Sequence, residues 1–289
     1  MCKNEVEVSI LITAYNEENF IEKSVSSALS QNYNSFEVVV INDGSKDRTQ
    51  DLLEDKFDDD RLRIFEQKNK GRIKSLNKGV KLSKGKFIAI LDADDIAMKN
   101  RVKKQANFLL ENKNTGVVGS SYIRNDKIRG KKYVRRYPKK DSEIKKEMSK
   151  YIPIAHSSSM IRKEAILQVG GYRNGKHGLE DMNLWIRIGR SWDLANLNEA
   201  LVLRNIRNDS HWHSVTGRQY RNFQLAKLNA RAIKAFSLSY YYYVFPLGRL
   251  VYSWLPVLLK RVARRLSSGI EERDLRSDPK DEDGISVSS

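Results

Sequence analysis

The strongest constraint on this chain is an alternation. Residues 6–13 (VEVSILIT), 36–42 (FEVVVIN), 61–65, 86–91 and 116–122 each read as an apolar strand, and most of the segments between them carry apolar side chains at helical spacing. In residues 17–31, Phe20, Ile21, Val25, Ala28 and Leu29 recur with that spacing, and Asn16 is placed as an N-cap. Residues 47–57, 72–83 (ended by Gly85) and 99–111 repeat the pattern. Strands this uniformly apolar need cover on both faces. The expected class is therefore α/β, a Rossmann-like, mainly parallel sheet flanked by helices.

Such sheets bind ligands beyond the carboxyl ends of their strands. Three polar clusters stand there: residues 13–17 (TAYNE) after the first strand, Asp43-Gly44-Ser45 after the second, and Asp92-Ala93-Asp94-Asp95 after the fourth. Asp43 suits a base N–H or a ribose hydroxyl, with Gly44 letting the backbone approach closely; the same DGSKD run has good helix-capping chemistry, and both readings stand. Asp92 and Asp94 offer hard oxygen donors two residues apart, the chemistry of Mg²⁺ or Mn²⁺. The other reading is that Asp94 or Asp95 caps the next helix. With no His or Cys beside them, a structural zinc site is not expected.

Glu180-Asp181 opens an apolar-faced helix over residues 179–188, where the helix dipole favours carboxylates; in a cleft, such a group removes a proton from a hydroxyl nucleophile. In residues 69–79 (NKGRIKSLNKG), Gly71 starts a helix whose first turns hold Arg72 and Lys74. Cations there oppose the dipole, which points to a bound anion. His156 precedes three serines near a strand end, and His211 and His213 flank Trp212, an i, i+2 pair that suits either a metal or a solvated loop.

Lys+Arg is 53 against Asp+Glu 36 over 289 residues, a net charge of +17 that implies an anionic partner: nucleic acid, acidic lipid or a phosphorylated substrate. A hydrophobic share of 40% with 31% charged excludes a wholly disordered chain. The single cysteine, Cys2, excludes an intramolecular disulfide and fits a reducing compartment, and the MCKNEVEVSI start lacks the pattern of a cleaved signal peptide.

Beyond residue 122 the pattern loosens. Residues 127–146 hold ten Lys/Arg against Asp141 and Glu143. Residues 192–204 read as a return strand with turns, and 219–236 as a polar helix. Residues 240–259 (YYYYVFPLGRLVYSWLPVLL) approach the roughly 20 apolar residues a membrane span needs. Arg249 lies mid-way, at a cost of roughly 2.5–3.5 kcal/mol at a bilayer centre, and Pro246 and Pro256 interrupt the run. A segment lying in the membrane interface, anchored by Tyr and Trp and followed by Lys260, Arg261, Arg264 and Arg265, fits better; a helical pair packed on the globular body is the alternative. The polar tail after 271 is expected to be disordered.

Taken in order, VSILITAYNEENFIEKSVSSALSQ, VVVINDGSKDRT, NKGRIKSLNKGVKLSKGKFIAILDADD, HSSSMIRKEAILQVGGYRN and GLEDMNLWIRI resemble the family 2 glycosyltransferases with the GT-A fold, over residues 6–215. The resemblance implies a nucleotide-sugar-binding half (1–122) and an acceptor-binding half (123–215); beyond it, composition alone gives the expected helical, membrane-interface segment (216–270) and the disordered polar tail (271–289). It implies a donor pocket lined by Thr13, Tyr15 and Glu17, with Asp43 on the base or ribose and Lys74 near the phosphates. Asp92 and Asp94 match the Asp-x-Asp element, with Asp94 the direct ligand of Mg²⁺ or Mn²⁺. Asp181 would be the base of an inverting transfer, with Glu180, His156 and Gly171 on the acceptor side. The implied donor is a UDP-, GDP- or dTDP-sugar, and the acceptor a glycan, a lipid-linked sugar or a cell-surface polysaccharide. The implied location is the cytoplasmic face of the cell membrane, on an anionic surface.

The chain departs from the pattern at Thr13, where proline is common, and at Asn42, where aspartate is. It departs again at residues 203–206 (LRNI), which keep Arg204 but put Ile206 where a histidine is common; His211 or His213 could substitute. Two other classes compete. A nucleic-acid-binding protein fits the charge, but no nucleic-acid-binding motif is present, so nucleic acid is not an expected partner. A nucleotidyltransferase would want a basic glycine-rich loop after the first strand, where this chain has acidic TAYNEENF.

Overall fold

The computed structural model describes residues 6–126, 130–173, 178–206, 217–254 and 273–274. Its centre is four parallel strands, β1 (Val8–Ala14), β2 (Phe36–Asn42), β3 (Leu62–Glu66) and β4 (Phe87–Asp92), in the order β3-β2-β1-β4. All seven residues of β2 are buried, as a strand covered on both faces requires. Val8, Ile10, Ile12 and Ala14 of β1 face one apolar cluster and Leu11 the other. The first cluster holds α1 (Ile21–Leu29), α2 (Thr49–Asp55) and α4 (Arg101–Glu111); the second holds α3 (Arg72–Leu82).

The sheet then departs from the simple repeat. β6 (Thr115–Asp126) does not join β4 directly; a three-residue strand, β8 (Met160–Arg162), lies antiparallel between them. The 122/123 position falls inside β6, and β9 (Asp193–Ile206) runs parallel to it over most of its length. β7 (Lys131–Arg135) pairs antiparallel with β6 and is itself met by β10 (Arg273–Asp274). A two-residue strand, β5 (Ile96–Ala97), pairs with Val202 and Leu203 of β9 and so draws the loop after β4 towards Arg204.

Serines 157–159 are fully buried where β4, β6 and β8 meet. Ser157 Oγ accepts from the Asp92 N–H at 3.0 Å, and Ser158 Oγ donates to the Ser120 carbonyl at 3.0 Å, so small hydroxyls satisfy backbone groups that the short strand leaves over. Behind them Arg101 is buried, donating to the Ile90 and Ser159 carbonyls at 2.7 and 3.1 Å.

The second face is completed by α5 (Asp141–Glu147), α6 (Lys163–Gln168), α7 (Glu180–Ile188) and α8 (Gly217–Ala235), with Leu225, Leu228 and Ala232 of α8 in the core. α9 (Val244–Trp254) packs on α8. Pro246 lies in the first turn of α9, where a missing N–H costs nothing, and Arg249 donates to the Lys150 carbonyl. Among the described residues no helix is long and apolar enough to cross a membrane.

Two capping expectations are corrected. Asn16 does not cap α1, which starts at Ile21; it takes a left-handed φ of 56° and its Oδ1 accepts from the Lys46 N–H, tying the β1–α1 loop to the β2–α2 loop. Neither Asp94 nor Asp95 caps α4, because β5 intervenes and Asn100 holds the N-cap position.

Gly44 stands at φ 73°, and a Cβ there would lie 2.7 Å from the Asn69 nitrogen, on the loop before α3. Gly44→Ala is expected to cost about 2 kcal/mol or more through combined backbone strain and overlap, read as a fall in chemical-denaturation midpoint.

Candidate active site

The carboxyl ends of β1, β2 and β4 converge as the parallel register requires: Thr13 lies opposite Ile41 on one side and Asp92 on the other. Tyr15, just beyond, is 41% exposed, while the Glu17 N–H donates to Thr49 Oγ1 at 2.8 Å. Asp43, also at this edge, is buried and does not cap α2. Its Oδ1 accepts from Gln67 Nε2 (2.7 Å) and the Lys70 N–H (2.9 Å), and its Oδ2 from the Gly71 N–H (2.8 Å). It thereby fixes the loop that launches α3 and with it the position of Arg72; Lys74 is exposed in the first turn of that helix.

Arg72 is the hub. Its Nη2 contacts Asp92 Oδ1 at 2.6 Å, its Nε contacts Glu180 Oε1 at 3.0 Å, and Nη2 also lies 3.1 Å from His156 Nδ1. The cations at the start of α3 thus have a partner the sequence did not suggest: the anions facing Arg72 are the protein's own carboxylates. A guanidinium only donates, so His156 Nδ1 accepts and the proton sits on Nε2, 2.8 Å from the Tyr172 hydroxyl. Burial, then the neighbouring Arg72 charge, pushes His156 down to about 3, so its 4.0 Å approach to Asp92 is not an ion pair at neutral pH.

Gly171 turns the chain at φ 70°, where a Cβ would collide with Asn77 Oδ1, and its carbonyl accepts from Arg187 Nη2 at 2.7 Å. The same Asn77 side chain bonds both the Tyr172 N–H and its carbonyl, at 2.8 Å each, which sets Tyr172 beneath His156.

On the opposite side of Asp92 stands Arg204, at the end of β9. Its Nε contacts Asp95 Oδ2 at 3.2 Å, and its Nη2 lies 3.9 Å from Asp92 Oδ2. Asn205 completes the hold, its N–H reaching Asp95 Oδ1 at 3.2 Å and its Nδ2 the Asp94 carbonyl at 2.6 Å. His211 and His213 lie outside the described residues, as does most of the tail after 271.

Asp92, Asp94 and Asp95 each present an oxygen within 4.8 Å of the others. This all-carboxylate set fits a hard divalent cation such as Mg²⁺ or Mn²⁺. The acids of the site differ in their electrostatics: burial, with the Asp92 and Asp94 charges, lifts Asp95 to about 7 against the pull of Arg204. Burial would raise Asp92, but Arg72 above all, with Arg204 among the further contributors, outweighs it and holds its carboxyl well below the usual range. Asp181 goes the other way. It is buried, its Oδ1 accepts from the Met182 N–H at 2.6 Å, and burial together with the adjacent Glu180 charge lifts it from 3.8 to about 7. Arg221 of α8 is brought near this pair; burial lowers it to about 10 against the pull of Asp181.

Sequence reasoning missed Arg221 as a member of the site, and placed Arg204 without its partner Asp95. The contact of Tyr172, in the Gly170-Gly171-Tyr172 turn, with His156 had no local signal.

The glycosyl transferase family 2 model matches residues 9–170. A Haemophilus influenzae protein described as an uncharacterized glycosyltransferase is 32% identical over 258 residues, covering 81% of this chain and 74% of that one. Relatives from Rickettsia felis and Rickettsia bellii, 30 and 32% identical, are longer, and the match spans about a third of their length. Among solved structures, Staphylococcus aureus TarS in complex with UDP-GlcNAc superposes with a TM-score of 0.61 at 19% identity, over 86% of this chain and 81% of that one. The Pyrobaculum calidifontis mannosyltransferase PcManGT, in complex with GDP-Man and Mn²⁺, superposes with a TM-score of 0.64 at 16% identity, over 91% of this chain and 76% of that one. At these identities the structural likeness speaks to the fold.

An acid whose folded pKa is raised weakens the fold as it ionises. The penalty is absent below about 3.8, grows as pH rises towards about 7 and is full above that. Asp181→Asn is therefore expected to melt several degrees higher than the parent at pH 8, with the difference fading by pH 4, as measured by thermal denaturation across pH.

Proposed function

The chain belongs to glycosyl transferase family 2, and from that premise we propose that it moves a sugar from a nucleoside-diphosphate sugar to an acceptor hydroxyl by a single inverting displacement. The observation that carries this reading is a three-aspartate cluster linked through Arg72 and Glu180 to a separate buried aspartate raised to about 7. A base with a pKa near working pH is well matched to taking a proton from a hydroxyl. Family membership favours this reading over the nucleotidyltransferase alternative.

In the proposed mechanism Asp92 and Asp94 would hold Mg²⁺ or Mn²⁺, whose Lewis acidity offsets the charge gathering on the departing diphosphate. Asp181 takes the acceptor proton as its oxygen attacks the anomeric carbon, through an oxocarbenium-like transition state. One base suffices because the leaving group is already activated. Glu180 supports Asp181 twice: its charge raises the neighbour's basicity, and its bond to Arg72 anchors the start of α7. Exposed Tyr15 is proposed to stack on the base, Thr13, Glu17 and Asp43 to frame the nucleoside, and Lys74 to meet the phosphates. His156 and Gly171 are proposed to shape the acceptor side through Tyr172. Neighbours of the same fold carry UDP-GlcNAc in one case and GDP-Man with Mn²⁺ in another, which supports a nucleotide-sugar donor without choosing the base.

The acceptor is proposed to be a glycan or lipid-linked sugar of polysaccharide synthesis, met at the cytoplasmic face of the membrane. The support is an apolar stripe: Val244, Leu247 and Val251 of α9 are 52, 59 and 64% exposed at i, i+3, i+7, next to Tyr240 and Tyr241 at 89 and 69%. Lys146 and Lys150 lie over the rings of Tyr242 and Phe245 beside it, the arrangement of an interfacial helix on anionic lipid.

Asp181→Asn is expected to lower turnover of the cognate donor by about 10³-fold or more while binding the nucleoside diphosphate with Mn²⁺ as the parent does. The parent's kcat/KM should rise with pH through about 7. Undiminished turnover in the variant rules out Asp181 as the base. Leu247→Glu with Val251→Glu is expected to abolish cosedimentation with phosphatidylglycerol vesicles; equal pelleting of parent and variant rules out the stripe.

A further inference from the structure

Arg72 occupies an unusual position. It stands at the amino end of α3, where the helix dipole disfavours a cation, and it bridges Asp92 and Glu180, which belong to the two separate acidic centres of the site. The guanidinium takes up one of the oxygens that Asp92 could offer a divalent ion, and a second cation brought to the same carboxylate is repelled by it. The 2.6 Å contact to Oδ1 is the shortest of the cluster's ion pairs, and Arg204 already approaches Oδ2.

We propose that Arg72 is a built-in counter-ion that holds the metal's place in the donor-free protein and competes with the divalent ion for Asp92. The inference rests on the reading of Asp92 and Asp94 as metal-holding residues. A planar guanidinium fork pairs well with phosphate oxygens. A donor diphosphate therefore offers Arg72 an alternative partner, and its arrival frees Asp92 for the ion. Metal and donor are coupled through this one side chain: each raises the other's affinity, by the same factor. Asp43 makes the switch local. It clamps the Lys70 and Gly71 N–H groups, so the root of Arg72 stays fixed while the side chain exchanges partners. His156, neutral and accepting through Nδ1, holds the guanidinium without adding charge. Arg72 is in this sense a positioning residue that acts on the order of binding.

The test is Mn²⁺ binding to the full chain, followed by electron paramagnetic resonance of the free ion, with and without UDP or GDP in separate arms. Arg72→Ala should bind Mn²⁺ alone about fivefold or more tighter than the parent, and the gain the parent shows on adding nucleoside diphosphate should shrink by a similar factor. Arg72→Lys keeps the charge but cannot bridge Asp92 and Glu180 with one planar fork, so it should fall between the two. It decides alone if Arg72→Ala fails to fold by circular dichroism. Two results overturn the competition: Arg72→Ala binding Mn²⁺ no tighter than the parent, or Arg72→Lys matching the parent, which would reduce Arg72 to a through-space charge. Absence of Mn²⁺ binding to the parent even with saturating nucleoside diphosphate overturns the metal site itself, and is a different pattern from either.

Discussion

The arrangement at this sheet edge depends on charge compensation around Asp92. Carboxylates brought together at the end of a buried strand repel one another and lose hydration, and they persist only where cations are supplied. Arg72 and Arg204 supply them from opposite sides. Each is delivered by a long-range piece of architecture. Arg72 depends on the Asp43 clamp across the loop before α3, and Arg204 on the antiparallel contact of β5 with β9. The fold around the site is in large part the machinery that brings these guanidinium groups to these aspartates.

The same chemistry is then used with opposite sign a short distance away. Asp92 is flanked by cations and stays ionised; Asp181 is flanked by Glu180 and burial and holds its proton up to about 7. Two aspartates differ in acidity because of what surrounds them, which is how one site houses both a charge-bearing anchor and a proton acceptor. Glu180 joins the two regions. Its carboxylate pairs with Arg72 and its charge raises Asp181, so the metal-facing and acceptor-facing sides are electrostatically one unit.

Much of this was legible in the sequence, for identifiable reasons. β1, β2 and β4 were readable because each is a largely apolar run, and the clustering of Thr13, Asp43 and Asp92 follows from parallel strands sharing an end. β8 was not, because three residues are too few to show a period. Asn16 has capping chemistry but spends it across two loops, at a distance of thirty residues that local rules do not see. Asp95 looked like a cap because the intervening β5 is only two residues long. Arg72 was noticed as misplaced, yet its partners, 20 and 108 residues away, were beyond reach of any local pattern. The basic stretch after residue 126 proved in part to be strand β7, paired with β6 on one side and met by β10 on the other.

β6 has a bearing on how such a protein could be recombined. It is one strand of twelve residues that carries position 122/123 two-thirds of the way along it and is laced in turn to β8, β7 and β9. Cutting there to graft the second half of a relative would sever hydrogen bonds to three partners at once. Junctions for chimeras belong instead in the surface loops, where exchanged segments bring their own ends and leave the shared strand whole. Diversification of such a scaffold would accordingly proceed by replacing loops around a common spine rather than by shuffling halves.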